Sequence, residues 1–319
     1  HRGKVYMEVH AEAIANVKQL LQLPDDYAVL FLQGGATAQF AMIPMNLLPE
    51  GKTADYVNTG EWATKAIKEA KTWGQVNVAA DTSALRPCRM PNPDEMKWSA
   101  DPVYVHITSN ETISGTQWKT YPKAPSLLVA DMSSDILSRP IDVKSFALIY
   151  AGAQKNLGPA GVCLVVIRKE VAERTVPKVP LMFCYNTHLK NDSMYNTPPC
   201  FGIYVLGLVT RWLIQLGGVE AIGKRNEEKA KLLYDIIDGS GFYRPTADKA
   251  HRSPMNVTFR LPSEELEAQF LKEAQAKGMM GLAGHRSVGG LRASLYNACP
   301  PEAVKALTSF MKEFERKNG

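Results

Sequence analysis

The stretch that most restricts the fold of this 319-residue chain is 146–168, FALIYAGAQKNLGPAGVCLVVIR. It contains two apolar runs joined by a turn that Gly152 and Gly158 punctuate. Continuous apolar runs of this kind read as strands buried on both faces, so the sheet that holds them needs a covering layer on each side. Lys155 lies in the turn, where the first buried run gives out. Partial desolvation disfavours the ammonium form. An amine that is neutral part of the time can form a Schiff base with a carbonyl. A lysine in a glycine-rich turn is ordinarily a solvated loop residue, so its neighbours decide between the two readings.

Upstream, apolar spacing predicts a helix over 5–21, with Ala13, Val17, Leu20 and Leu21 on one side. A buried strand is expected at 28–33, followed by Gly34-Gly35-Ala36-Thr37 and a helix over about 38–48. Strand, small-residue turn and helix together leave free backbone N–H groups where a phosphate can sit. A strand at 54–58 precedes a helix that opens at Gly60-Glu61-Trp62 and runs to about 73. Residues 87–102 are proline-rich and read as an irregular loop. Strands follow at 103–108, ending at Asn110-Glu111-Thr112, and at 126–130, with Asp131 at the end. Short strands alternating with helices predict an α/β fold with a mostly parallel central sheet. Ligands in such sheets bind beyond the carboxyl ends of the strands. Thr37, Thr112, Asp131 and Lys155 all fall there.

From residue 201 the texture changes. Two helices are expected at 201–216 and 220–238, then a strand at 255–261, a helix at 263–277, a strand at 291–296 and a last helix at 301–316. This predicts a large cofactor-binding domain over 1–223 and a smaller C-terminal α+β domain over 224–319. Residues 218–225, GVEAIGKR, approach a P-loop but lack its Ser/Thr and follow a helix rather than a strand. The formal net charge of +5 is spread along the chain rather than gathered into a stripe. That pattern argues against a nucleic-acid partner and suits small anionic ligands. The five cysteines show no CxxC pair and no metal-ligand spacing, which predicts reduced thiols and no metal site. No apolar run reaches the ~18 residues of a membrane span. A cytoplasmic location is expected, an organelle such as a plastid being the other reducing possibility.

Asp131 and Lys155, 24 positions apart, can sit on neighbouring strand ends. A carboxylate beside a pyridinium nitrogen and a lysine at the aldehyde carbon are the minimum equipment for pyridoxal phosphate. Taken alone, Asp131 before Met-Ser-Ser reads as a helix N-cap or turn acid. Tyr104 and His106 alternate along their strand and read as packing residues.

The segments GAQKNLGPAG, NETI, DMSS, NTPPCF, GHRSVGGLRASLYNA and the opening HRGK together resemble the phosphoserine aminotransferases, class-V aminotransferases of pyridoxal phosphate fold type I. The likeness extends from residue 1 to about 314. It implies a ping-pong exchange of 3-phosphohydroxypyruvate and glutamate for O-phosphoserine and 2-oxoglutarate, in serine biosynthesis. It also implies a homodimer with shared active sites. Under this resemblance Lys155 is the Schiff-base lysine, Asp131 partners the ring nitrogen, and Trp62 stacks on the ring. Thr112 lies near the phenolic oxygen and Ser133 beside Asp131. The amides of Ala36 and Thr37, with Gln154, hold the cofactor phosphate, and Asn196 and Thr197 reach it from the neighbouring subunit. Where many bacterial members carry arginine this chain has Thr37, which shifts that work toward backbone amides.

His285, Arg286 and Arg292 fall within eight residues, among Gly284, Gly289 and Gly290. Two guanidiniums and an imidazole in a bent loop suit a ligand with both phosphate and carboxylate. The resemblance assigns the carboxylate to Arg292 and the phosphate to His285 and Arg286, with His1 and Arg2 as a further pair. The sequence begins inside that His-Arg motif, and the resemblance implies a front segment ahead of it. A desulfurase-like relative would need a cysteine in a reactive loop, and none is evident. A binding protein that keeps the lysine only for packing is the reading from another class.

Overall fold

The computed structural model describes residues 1–174 and 178–319. In chain order the large layer contains α1 (Lys4–Leu21), β1 (Tyr27–Leu32), α2 (Gly35–Leu47), β2 (Thr53–Asn58), α3 (Glu61–Ala70), β3 (Gln75–Asp81) and β4 (Tyr104–Thr108). A two-stranded ribbon, β5 (Asn110–Glu111) and β6 (Thr116–Gln117), leads to β7 (Leu127–Asp131), β8 (Leu148–Gly152) and β9 (Cys163–Arg168). Short helices α4 (Lys169–Ala172) and α5 (Tyr185–Lys190) precede the longer α6 (Cys200–Gln215) and α7 (Gly218–Gly239). A three-stranded antiparallel sheet, of β10 (Arg244–Pro245), β11 (Asn256–Arg260) and β12 (Leu291–Ser294), carries α8 (Glu264–Ala276) and α9 (Pro301–Asn318).

The central sheet has seven strands in the order β1-β9-β8-β7-β4-β2-β3. All run the same way except β9, which is antiparallel to both neighbours. The reason is chain length. Only residues 153–162 separate β8 from β9, and a parallel return needs a crossover of a dozen or more residues. The remaining carboxyl ends therefore open on one edge, and Asn58, Thr108, Asp131 and Gly152 end their strands there. β3 was not expected. Its burial is patchy, with Gln75 and Asp81 exposed at its ends, so it carries no continuous apolar run.

Side chains alternate across the sheet and supply two cores. Val105 and Ile107, Leu128 and Ala130, and Ile149 and Ala151 face one layer, with Ala13, Val17, Leu20 and Leu21 of α1 and Ile203, Leu206 and Leu213 of α6. The expected inner side of α1 is thus the buried one. Tyr104, Val129, Leu148 and Tyr150 face the other layer, with Phe40 and Ile43 of α2 and Ala66, Ile67 and Ala70 of α3. A third core gathers Phe259, Phe270, Phe310 and Phe314 under the small sheet. Residue 223 lies inside α7, whose first turns join the first core at Val219 and Ile222 and whose last turns join the third at Ala230, Leu233 and Ile237. Among the described residues, no single helix is long and apolar enough to cross a membrane.

Two buried polar arrangements tie these layers. Lys229 of α7 is 1% exposed, and its Nζ donates to the carbonyls of Leu295, Tyr296 and Cys299 at 2.8, 2.9 and 3.1 Å. Across the central sheet, the His106 ring stacks on Tyr56 with centroids 4.8 Å apart, and its Nε2 lies 2.9 Å from Tyr150 Oη. Tyr56 Oη in turn lies 2.7 Å from Tyr104 Oη. Burial pushes the His106 pKa down to about 3, so the ring is neutral in the folded chain.

Replacing Lys229 with Met removes three donors and leaves one buried and two part-buried carbonyls without them, an expected loss of about 2 kcal/mol in the unfolding free energy read by denaturant titration. For His106 the folded pKa lies below the unfolded ~6.5, so the unfolded chain binds the extra proton as pH falls. The stability it preserves is complete above pH ~6.5 and is lost on the way down toward pH ~3. Between pH 7 and 4 this group should remove on the order of 3 kcal/mol, and a His106→Gln chain should show a correspondingly flatter acid limb.

Candidate active site

Asp131 ends β7 and is 5% exposed. Its register partner on β8 is Tyr150. The carboxylate accepts the Ser133 amide at 2.9 Å, and the nearby Ser133 and Tyr150 hydroxyls favour its charged form. Ser133 Oγ accepts the Gly152 amide at 3.0 Å, so the turn after β7 is fastened to the end of β8. Burial raises the Asp131 pKa, while Ser133, Lys155 and Tyr150 pull it back.

Lys155 follows β8 by three residues and is half-buried. Burial lowers its pKa, opposed by the negative charges of Asp131 and Glu111, with Arg292 adding to the lowering. Its Nζ stands 5.6 Å from the centroid of the Trp62 ring. Trp62 belongs to the first turn of α3, and its Nε1 donates to Thr112 Oγ1 at 2.9 Å. Thr112 is buried, and its carbonyl accepts from the Arg292 guanidinium at 3.1 Å. Arg292 comes from β12, so one side chain of the small sheet reaches the edge of the large one. Its Nε is buried and has no partner among the described residues.

The α2 N-terminus opens after Gly34 and Gly35, both with positive φ (83° and 61°), and no side chain caps it. The first amides of a helix have no intrahelical acceptor, so those of Ala36 and Thr37 are free for a ligand. Gln154 is exposed and folds back over Gly152, where an added Cβ would lie 2.6 Å from its Oε1. Among the sequence-predicted residues, Asp131, Ser133, Lys155, Trp62, Thr112 and Arg292 are linked by these contacts.

The other sequence-predicted residues lie apart from that chain of contacts. Asn196 lines a small cavity with Gln33, Gly34 and Ala38, and the Thr197 carbonyl accepts from Gln33 Nε2 at 2.9 Å. Both therefore border the α2 turn of their own chain. His1 and Arg2 are exposed and contact each other at 3.3 Å. His285 Nδ1 lies 2.7 Å from Ser287 Oγ, and Arg286 is exposed. Neither His1 nor Arg2 contacts His285 or Arg286 among the described residues.

A cavity of 620 Å³ opens between the two sheets. Its lining includes Gly60, Glu111, Arg86, Arg260, Ser287 and Arg292. Arg86 and Arg260 were not expected here; one lies just before the proline-rich loop and the other at the end of β11, with no local motif to mark either. Tyr150 went unremarked in the sequence and His106 read there as a packing residue, because only strand pairing sets them behind Asp131.

The chain matches the class-V aminotransferase family model over residues 1–307. The phosphoserine aminotransferase of Geobacillus kaustophilus is 56% identical over 318 residues, covering 99% of this chain and 88% of that protein. The solved phosphoserine aminotransferase from Bacillus circulans subsp. alkalophilus superposes with a TM-score of 0.96 at 51% identity, covering 100% of this chain and 89% of the other. That from Trichomonas vaginalis, with pyridoxal phosphate bound, gives 0.94 at 41% identity, covering 98% and 89%. With a half-buried lysine facing a buried aspartate at the edge of a matching sheet, the chain belongs to the class-V aminotransferases and, among them, to the phosphoserine aminotransferases.

Proposed function

We propose that this chain exchanges amino groups between O-phospho-L-serine and 2-oxoglutarate, and between glutamate and 3-phosphohydroxypyruvate, through pyridoxal phosphate and Lys155. The observation that carries the reading is Lys155 Nζ, partly desolvated, 5.6 Å from the Trp62 ring centroid and sensing the buried Asp131 carboxylate. The residues present fit the cofactor. A buried acid, a half-buried amine, an indole face and an uncapped helix N-terminus match its ring nitrogen, aldehyde, ring plane and phosphate in turn.

When bound, pyridoxal phosphate supplies an aldehyde that takes up amino groups and a ring that accepts electrons from the substrate Cα. Asp131 holds the proton on the ring nitrogen, and Ser133 and Tyr150 hold Asp131. Lys155 Nζ, with its pKa lowered by burial, is the base that takes the Cα proton and returns it on the other side of the exchange. Trp62 offers a flat apolar face, and Thr112 a hydroxyl already fixed by the indole N–H. The Ala36 and Thr37 amides, with Gln154, take the cofactor phosphate. Arg292, anchored on the Thr112 carbonyl, keeps a buried Nε free for the substrate carboxylate. His285 and Arg286, with His1 and Arg2, take the substrate phosphate, or the side-chain carboxylate of glutamate in its place.

The active form in this reading is a homodimer. Val5 and Phe201 are 77% and 74% exposed, and Tyr204 and Leu208 continue the outer side of α6. Exposed apolar residues of this size on two packed helices suit self-association. Asn196 and Thr197 immediately precede α6 and would serve the partner's cofactor phosphate. The same reading places the protein in the cytoplasm; all five cysteines are free.

Mixing the cofactor-loaded protein with O-phospho-L-serine alone should convert the cofactor's absorbance from its aldehyde to its amine form in one turnover. Lys155→Ala should abolish the conversion, and full conversion by that variant would sink the reading. Arg292→Ala should raise KM for both amino donors by about 50-fold, as expected for a lost charge-assisted pair. Arg286→Ala should raise KM for phosphoserine far more than for glutamate in steady-state assays, and equal losses would remove its phosphate role.

A further inference from the structure

Glu111 enters the chemistry above only as a nearby acid that raises the Lys155 pKa, yet it is fully buried between the ribbon and the first turn of α3. Its Oε1 accepts from Thr59 Oγ1 at 3.2 Å and from the Ala63 amide at 3.3 Å. The neighbouring Trp62 amide also favours the charged form of this carboxyl group. These are the early α3 amides that lack an intrahelical acceptor. The N-cap of α3 is Gly60, which has no side chain to offer. A Cβ at Gly60 would lie 2.7 Å from the Glu111 carboxyl carbon. The helix start is therefore capped through space, by an acid 51 residues further along the chain, in room that only a glycine leaves.

The next residue completes the arrangement. Thr112 Oγ1 accepts from Trp62 Nε1 at 2.9 Å. Glu111 and the residue after it thus bracket one tryptophan, Glu111 through Thr59 and the Ala63 amide on either side of it in the chain and Thr112 through its indole. We propose that Glu111 is a positioning residue that fixes the Trp62 ring plane at the active site. The inference rests on the reading of Trp62 as the cofactor's stacking face. The body of α3 is held independently by Ala63, Ala66, Ile67 and Ala70 in the core, so loss of Glu111 loosens the first turn rather than the helix. Burial pushes the Glu111 carboxyl up to about 7, and its Oε2 has no partner among the described residues. One neutral oxygen acceptor is enough for the role, which a glutamine can supply.

The test begins on the cofactor-free protein, labelled with 5-fluorotryptophan, with the Trp62 fluorine resonance assigned by Trp62→Phe. Glu111→Ala should shift and broaden that resonance while leaving those of Trp73, Trp98, Trp118 and Trp212 in place. Glu111→Gln should restore it. In the loaded protein, Glu111→Ala should weaken the visible circular dichroism of bound pyridoxal phosphate and raise its Kd about tenfold, against less than about twofold for Gln. Should Glu111→Ala fail to fold, Gly60→Ala displaces the carboxyl without removing it and should disturb the same resonance. A Trp62 signal unmoved in the Ala variant, or moved equally by Ala and Gln, overturns the proposal. A wild-type chain that takes up no pyridoxal phosphate overturns the functional reading instead, and leaves the fluorine result standing as a statement about Glu111.

Discussion

A carboxylate at 5% exposure must be compensated or it takes up a proton, and Asp131 is in that position. Its compensation is drawn from three places at once. Ser133 supplies an amide and a hydroxyl from the turn that follows, Tyr150 a hydroxyl from the adjacent strand, and Lys155 a charge from the turn beyond it. Tyr150 is itself fixed by His106, whose ring is stacked on Tyr56. The burden of one buried charge is thereby spread over β2, β4, β7 and β8. In that position the carboxylate can remain an acceptor that a protonated ring nitrogen completes.

This arrangement exists only because those strand ends point the same way. Had the return from β8 been longer, β9 could have been parallel and Lys155 would have lain on a crossover rather than in a tight turn. The short link 153–162 reverses β9 and keeps Lys155 within three residues of the end of β8, the strand that carries Tyr150, the register partner of Asp131. The second sheet then needs to contribute only reach. Arg292 supplies it from β12, and its hydrogen bond to the Thr112 carbonyl joins the cavity wall to the ribbon.

What could be read in the sequence follows the same division. Continuous apolar runs marked β1, β8 and β9, and spacing marked the inner side of α1, because those signals are local. The strand-end positions of Asp131, Lys155 and Thr112 were legible for the same reason. β3 was not, since an edge strand with exposed ends lacks the apolar run that gives a central strand away. Glu111 stood in view within Asn110-Glu111-Thr112, but its partners at 59–63 are set by tertiary packing, and an acid before a polar residue has no spacing to betray it. Tyr150 and His106 alternate along their strands as packing residues do, and only register brings them together behind Asp131. Arg86, just before the proline-rich loop, and Arg260 of β11 line one cavity although 174 positions separate them.

The two ends of the proposed cofactor site are built differently, and the difference bears on assembly. The ring end, at Asp131, Ser133 and Thr112, is buried by this chain alone. The phosphate end, at Thr37 and Gln154, is exposed. A doubly charged phosphate resting only on open helix amides competes with water for each of them, which weakens a charge-assisted contact. Closing that end requires further surface. The exposed apolar residues of α6, directly after Asn196 and Thr197, are the kind of surface a second copy would cover. Covering them would bring chain against the open end in the same step, so cofactor retention and self-association should be linked, each strengthening the other by mass action.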